Sequence, residues 1–313
     1  MGAAGLASTR VRAATYPERP VRILVGFPAG GFTDILARAV AEPLSQALGQ
    51  RFLIENQSGG AGTLAATAAA SAQPDGYTLV MGNMIAHAAA KSMMKHLRYD
   101  PATAFMPITI CARQGSVVVT RPELGIRSIA ELVEKAKAAP GKYSYASSGS
   151  GSTQHLSGEQ FQQATGIKLI HVPYRGSAPA LNDVIAGHVD FAFDGVGSAN
   201  AHLQAGSLVP LAFALPARAA RYPDVPTLEE LGIKGFTNGS WFGLFAPADT
   251  PKPIVGALYR ETTKALDTPI VKRVLEDSSA WAGGEPPEQV AAFIQEEITR
   301  LGDLVRLAKI SVE

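Results

Sequence analysis

Hydrophobic and polar positions along the chain fall into short apolar runs that alternate with longer stretches carrying one apolar face. The first run, Val21-Arg22-Ile23-Leu24-Val25-Gly26-Phe27, has the length and near-continuous apolarity of a strand buried on both faces. Pro28 ends it, because proline has no N–H for a ladder. Leu36, Val40, Leu44 and Leu48 then recur at four-residue spacing, which predicts a helix with one buried stripe. Pro43 removes the bond to the Ala39 carbonyl, so a kink is expected there. Gly30 and Gly31 stand at the turn between strand and helix, where a sharp bend and positive φ are expected, and Thr33 or Asp34 is expected to cap the helix.

The same alternation continues. Residues 51–56 read as a second strand, Gly59-Gly60-Ala61-Gly62 as a turn into an alanine-rich helix ending near Ala72, and residues 77–81 as a third strand. Strand, helix, strand, helix, strand points to a parallel sheet with right-handed crossovers. Ligands of such sheets sit beyond the carboxyl ends of the strands, which would place Gly82 and Asn83 beside the Gly30-Gly31 turn. Residues 109–120 form one long extended stretch, and Ser128 with Glu131 forms a capping box. A second sheet pattern follows. It has a strand at 143–147, a polar glycine loop at 148–153, a helix at 154–165, a strand at 169–173, a loop at 174–177, a helix to about 186 and a strand at 189–194. Strands at 209–215 and 241–246 come next, and a last helix from Pro286 carries Val290, Ile294, Ile298, Leu301 and Val305 on one face.

The expected architecture is therefore α/β with two lobes around a cleft, each lobe a mostly parallel sheet flanked by helices. Lobe 1 is expected to comprise residues 16–115 and 240–313, and lobe 2 residues 116–239, with residues 1–15 outside the fold. The C-terminal helices should return to lobe 1, whose sheet needs cover on both faces.

Composition narrows the function. With 313 residues, 46% of them hydrophobic and 18% charged, the chain can build two cores. A net charge of +1 without a lysine or arginine block speaks against nucleic acid as a partner. Cys111 stands alone, so no intrachain disulfide forms, and it reads as a small core residue. None of the six histidines makes an H-x-x-x-H pair, and neither a metal nor a cofactor is expected. Neither nucleotide-binding glycine fingerprint nor a G-x-S-x-G elbow is present. The serines of 147–152 need an activating base to act as nucleophiles, and the sequence places none beside them, since His155 falls within the following helix. Residues 1–14 are rich in alanine and glycine, carry Arg10 and Arg12 and end in Ala13-Ala14. They read as the stump of an export signal without its apolar middle, or as a tail. The uncharged run at 56–74 is too weakly apolar to span a bilayer.

What remains is anion chemistry. A glycine turn feeding a helix N-terminus offers free N–H groups and a partial positive charge, and the loop at 148–153 offers hydroxyls and N–H groups from the other lobe. Several motifs coincide in order and spacing. They are Phe27-Pro28-Ala29-Gly30-Gly31 with Thr33-Asp34, Glu55-Asn56 before a glycine cluster, Pro74-Asp75-Gly76-Tyr77-Thr78, Tyr99-Asp100, Ser148-Gly149-Ser150-Gly151-Ser152 with His155-Leu156, Val172-Pro173-Tyr174-Arg175-Gly176, and Pro223-Asp224-Val225-Pro226-Thr227. Over residues 16 to about 310 the chain resembles the substrate-binding proteins of tripartite tricarboxylate transporters, the Bug receptors.

The resemblance implies a periplasmic-binding-protein-like fold of type II, a Venus flytrap closing on a small organic acid. It implies a monomeric bacterial periplasmic receptor that delivers its ligand to a two-component membrane permease and performs no chemistry. By resemblance, the ligand's carboxylate falls to Ala29, Gly30, Gly31, Phe32 and Thr33, with Asp34 fixing the turn and Asn83 alongside. The opposing lobe would add Ser148, Gly149, Ser150, Ser152, Thr153, Tyr174, Gly176 and Asp194. Many members carry a third glycine where this chain has Phe32, which narrows the pocket or re-aims the turn. Arg175, a cation on a ligand loop, is left outside the site. Two other functions stand beside this one: a ligand-dependent co-receptor for a sensor kinase, and an enzyme on a related fold.

Overall fold

The computed structural model describes residues 16–236 and 239–311; the export-signal expectation for residues 1–15 lies outside the described residues. β1 (Val21–Val25) sends its side chains alternately to two faces, as the twofold period of a strand requires. Val21, Ile23 and Val25 pack with Leu36, Val40 and Leu44 of α1 (Phe32–Leu48), while Leu24 packs with Ala65 and Ala69 of α2 (Thr63–Ala70). α1 runs unbroken through Pro43 and ends at Gly49 in the left-handed conformation. β2 (Phe52–Asn56) and β3 (Thr78–Asn83) flank β1 in parallel, with Val25 opposite both Asn56 and Met81. The turns after all three strands therefore emerge at one edge of the sheet.

After β3 a π-helical turn (Ile85–Ala89) leads into α3 (Ala90–Met93) and then β4 (Phe105–Gln114). The extended stretch divides at Gly115: β4 belongs to the first sheet, β5 (Ser116–Thr120) to the second. α4 (Ile129–Ala138) is capped by Ser128, whose Oγ accepts from the Glu131 N–H at 3.1 Å, and Glu131 in turn accepts from the Arg127 N–H at 3.0 Å. β6 (Ser144–Ser147), α5 (Thr153–Thr165), β7 (Ile170–Pro173), α6 (Ser177–Ala186) and β8 (Phe191–Gly195) repeat the strand–helix order, followed by α7 (Val196–Gln204) and β9 (Val209–Ala214). The chain returns through β10 (Ser240–Pro247), α8 (Lys252–Leu266), α9 (Pro269–Asp277), β11 (Ala280–Ala282) and α10 (Pro287–Leu307).

Among the described residues the strands form two sheets, ordered β11-β4-β10-β3-β1-β2 and β7-β6-β8-β5-β9. The two-lobed α/β arrangement is as expected. The parallel part of each sheet, however, is a triplet, β2-β1-β3 and β7-β6-β8, and the other strands pair antiparallel. The reason is the double crossing. β5 and β10 enter their sheets straight from the other lobe, without the helical crossover that parallel pairing needs. The crossings lie side by side: a Cβ at Gly115 would overlap Leu215, and one at Gly239 would overlap the Gln114 carbonyl. α10 covers the first sheet, packing Val290, Leu301, Leu304 and Val305 against Leu24, Ile110 and Trp241.

Candidate functional site

The carboxyl ends of the two parallel triplets face each other across a cleft of about 510 Å³. Lobe 1 lines it with Phe27, Phe32, Thr33, Ala61, Asn83, Met84 and Ile85, and the crossing strand β10 adds Ser240, Trp241 and Phe242. Lobe 2 contributes Ser148, Gly149, Ser150, Ser152, Thr153, Gln154 and Ser177. No lysine or arginine is among these lining residues. Three helices begin here, α1 at Phe32, α5 at Thr153 and α6 at Ser177. The first-turn N–H groups of a helix have no acceptor within the helix, and neither α1 nor α6 has a side-chain cap.

The turn after β1 differs in detail from expectation. The left-handed residue is Gly30, at φ +84°; Gly31 is the N-cap of α1 at φ −76°, a conformation open to any residue. Neither Thr33 nor Asp34 caps the helix. Asp34 instead reaches back under the turn, its Oδ2 accepting from the Gly30 N–H at 2.9 Å and its Oδ1 from Asn56 Nδ2 at 2.9 Å. Arg38, one turn on, donates through Nε at 3.0 Å. Asn56 also donates to the Phe27 carbonyl at 3.0 Å, tying the end of β2 to the end of β1. Burial opposes the Asp34 charge, but the bonds from Arg38, Gly30 and Asn56 outweigh it and hold the carboxyl at about 2. Asp34 is 2% exposed and does not line the cleft; Ala29, Gly30 and Gly31 are exposed and do not line it either, while Phe32 and Thr33 do. The phenyl ring of Phe32 packs edge-on to Phe242, ring centroids 4.9 Å apart. Asn83 lines the cleft but is already engaged. Its Oδ1 accepts from Ile85 N at 2.8 Å and Ala86 N at 3.0 Å, capping the π-turn, and its Nδ2 donates to the Ala61 carbonyl at 3.2 Å.

In lobe 2, Ser148, Gly149, Ser150, Ser152 and Thr153 all line the cleft. Ser152 caps α5, its Oγ accepting from His155 N at 3.2 Å. Tyr174, Gly176 and Asp194 do not line it. The Tyr174 hydroxyl donates to Asp183 at 2.6 Å instead, and Gly176 is the N-cap of α6, donating its N–H to the Ser148 carbonyl at 3.2 Å. Asp194 is 2% exposed and lies behind the wall. Its Oδ1 accepts from the Gly195 N–H (2.6 Å), Ser198 (2.8 Å), Ser177 (2.9 Å) and Gln154 (3.3 Å), so it positions two lining residues. Burial pushes its carboxyl up, against those four bonds.

A base does stand beside one of the loop serines, contrary to expectation. Because β7 pairs with β6, His171 comes within 2.6 Å of Ser147 Oγ through Nε2, and it stacks on His155 with ring centroids 3.8 Å apart. Ser147 is 1% exposed and also bonds Gly149, while His155 Nδ1 accepts from the Gly151 N–H at 3.0 Å. The group braces the backbone of the loop from beneath. Burial and the neighbouring His155 lower His171 to about 4.

Phe27, Ala61, Met84, Ile85, Gln154, Ser177 and the three β10 residues also line the cleft and are not among the residues expected there from sequence. Signals existed for some: Ser177 is the first residue of a helix after a glycine loop, and Trp241-Phe242 is an aromatic pair on a lobe crossing. Arg175 is exposed and off the cleft. Among the described residues no cluster of histidine, cysteine and carboxylate side chains could hold a metal ion, and no helix is long and apolar enough to cross a membrane.

Two α/β lobes joined by a double crossing, with helix N-termini meeting at a cleft between them, define a two-lobed solute-binding protein. Residues 36–310 match the tripartite tricarboxylate transporter family receptor (TctC), and the chain belongs to that family, whose members are periplasmic receptors. Protein BugT of Bordetella pertussis is 34% identical over 304 residues, covering 97% of this chain and 93% of BugT. Among solved structures, Rpa4515 of R. palustris with adipate is 35% identical at a TM-score of 0.81, covering 95% of this chain and 99% of that one. MatC from Rhodopseudomonas palustris with bound malate is 34% identical at a TM-score of 0.77, covering 93% and 100%.

Proposed function

We propose that this chain is a periplasmic receptor for a small organic carboxylate, which it delivers to a two-component membrane permease without chemical change. The observation that carries this is the meeting of three helix N-termini, α1 from one lobe and α5 and α6 from the other, at a cleft that, among the described residues, is lined by no cationic side chain. Each N-terminus carries about half a positive charge and free N–H donors, which suits a carboxylate. Hydroxyls of Thr33, Ser150, Thr153 and Ser240 add neutral donors, while those of Ser148 and Ser177 already donate to Gln154 and Asp194. The adipate and malate of the two R. palustris relatives support the same ligand class. In this reading Phe32, Thr33, Ser148, Gly149, Ser150, Ser152 and Thr153 touch the ligand. Asp34 holds the first turn, and Asp194, Tyr174 and Gly176 hold the loops of the second lobe.

A thermal-shift panel of carboxylates, amines, sugars and phosphates tests it. A ligand at about 100 times its Kd should stabilise the folded chain by about 2.7 kcal/mol. Carboxylates should raise the melting temperature; shifts from sugars or amines and from no carboxylate would overturn the ligand class.

A further inference from the structure

We propose that the cleft selects carboxylates with one anionic head and an apolar body, aromatic or aliphatic, over hydroxylated di- and tricarboxylates. This rests on the carboxylate-receptor reading and deepens it. The two walls differ in chemistry. Lobe 2 presents hydroxyls and an amide, whereas lobe 1 and β10 present Phe27, Phe32, Phe242, Met84 and Ile85. Phe32 and Phe242 brace one another at 4.9 Å with their rings 70° apart, an edge-on packing of two apolar residues that both line the cleft. The amide on that side, Asn83, has its oxygen on two backbone N–H groups and its nitrogen on the Ala61 carbonyl. A ligand hydroxyl or second carboxylate turned to this wall would lose water against a surface whose polar side chains, among the described residues, are Thr33, Ser240 and the second N–H of Asn83.

Charge points the same way. Three helix N-termini at about half a charge each balance one carboxylate and fall well short of three. Arg300 lines a smaller cavity of about 80 Å³ that shares Met84, Thr153, Gln154 and Ser240 with the cleft, but it is paired with Glu297 at 2.7 Å. Behind the lobe 2 wall, Asp194 is bonded to Ser177 and Gln154 and has neutral donors around it, so any charge it holds repels a further ligand carboxylate.

Isothermal titration of the purified chain at pH 7 with phenylacetate, hexanoate, malate and citrate tests the inference. Phenylacetate or hexanoate should bind at least about tenfold tighter than malate or citrate, as burial of an apolar body predicts. Phe32→Gly should weaken the apolar ligand about tenfold and leave malate equal or tighter, with Phe242→Ala as a second variant and melting curves to confirm both fold. Tighter binding of malate or citrate by the wild type overturns this inference and leaves the receptor reading standing. An apolar ligand that binds both variants as it binds wild type also overturns it. Failure of every carboxylate to bind overturns the receptor reading itself.

Discussion

Asp34→Ala should destabilise the protein by about 2 kcal/mol at neutral pH, with most of that loss tied to ionisation of the carboxylate. The side chain is buried and accepts from the Gly30 N–H, Asn56 Nδ2 and Arg38. Hydrogen bonds to a charged group are worth about 1.5–3 kcal/mol. Two features reduce the loss here. Arg38 is 53% exposed and regains water, and Asn56 keeps its bond to the Phe27 carbonyl. Proton linkage gives a similar figure. The carboxyl is held at about 2 in the folded protein against an ordinary 3.8; at about 1.4 kcal/mol per pH unit this is at most about 2.4 kcal/mol. The sign follows from the depressed value. Stability is present above the unfolded pKa and is lost as pH falls toward 2, because the unfolded chain takes up the proton first. About 1 kcal/mol should already be gone at pH 3. Urea denaturation of wild type and Asp34→Ala at pH 7 and pH 3 measures both numbers. The gap between the two proteins should narrow at pH 3. A gap of the same size at both pH values, or none at pH 7, would show that the carboxylate does not anchor this turn. Carboxylate affinity of the variant should fall as well, since Gly30 loses its tether next to Phe32 and Thr33.

Three further outcomes are expected. Gly26→Ala should destabilise by about 1–3 kcal/mol, because the new Cβ overlaps the Gly62 backbone where the turns after β1 and β2 approach, whereas Gly31→Ala, at φ −76° with its nearest new contact at 3.4 Å, should be tolerated; melting curves compare them. His171 is held neutral, at about 4, so the wild type should lose stability as pH falls from 6.5 toward 4, and His171→Asn should show a flatter melting profile over that window; equal slopes would remove His171 from the loop's support. Glu297→Ala should cost about 1–3 kcal/mol in urea denaturation, since it strips a buried acceptor from Trp241 Nε1 (3.0 Å) and a partner from the half-exposed Arg300, which also donates to Gln160 of lobe 2 at 3.3 Å.

Local pattern determined the elements. The spacing of apolar residues placed α1 and α10, Ser128 marked a helix start, the polar glycine loop at 148–153 marked the approach to α5, and the apolar runs marked the strands, because these features depend on neighbours a few residues away. The family motifs marked the two loops that meet at the cleft. Tertiary structure decided what pairing and packing control. β5 and β10 join their sheets antiparallel because they arrive by crossing between lobes, which no local period records. The β6–β7 register sets His171 on Ser147, 24 residues away. By resemblance Asp194 is a ligand contact and Asp34 the brace of its turn; both fold inward to hold backbone and neighbouring side chains, because a buried carboxylate must find donors close by. The lining aromatics come from two places far apart in the chain, Phe32 and Phe242, and their wall exists only once β10 lies against β3.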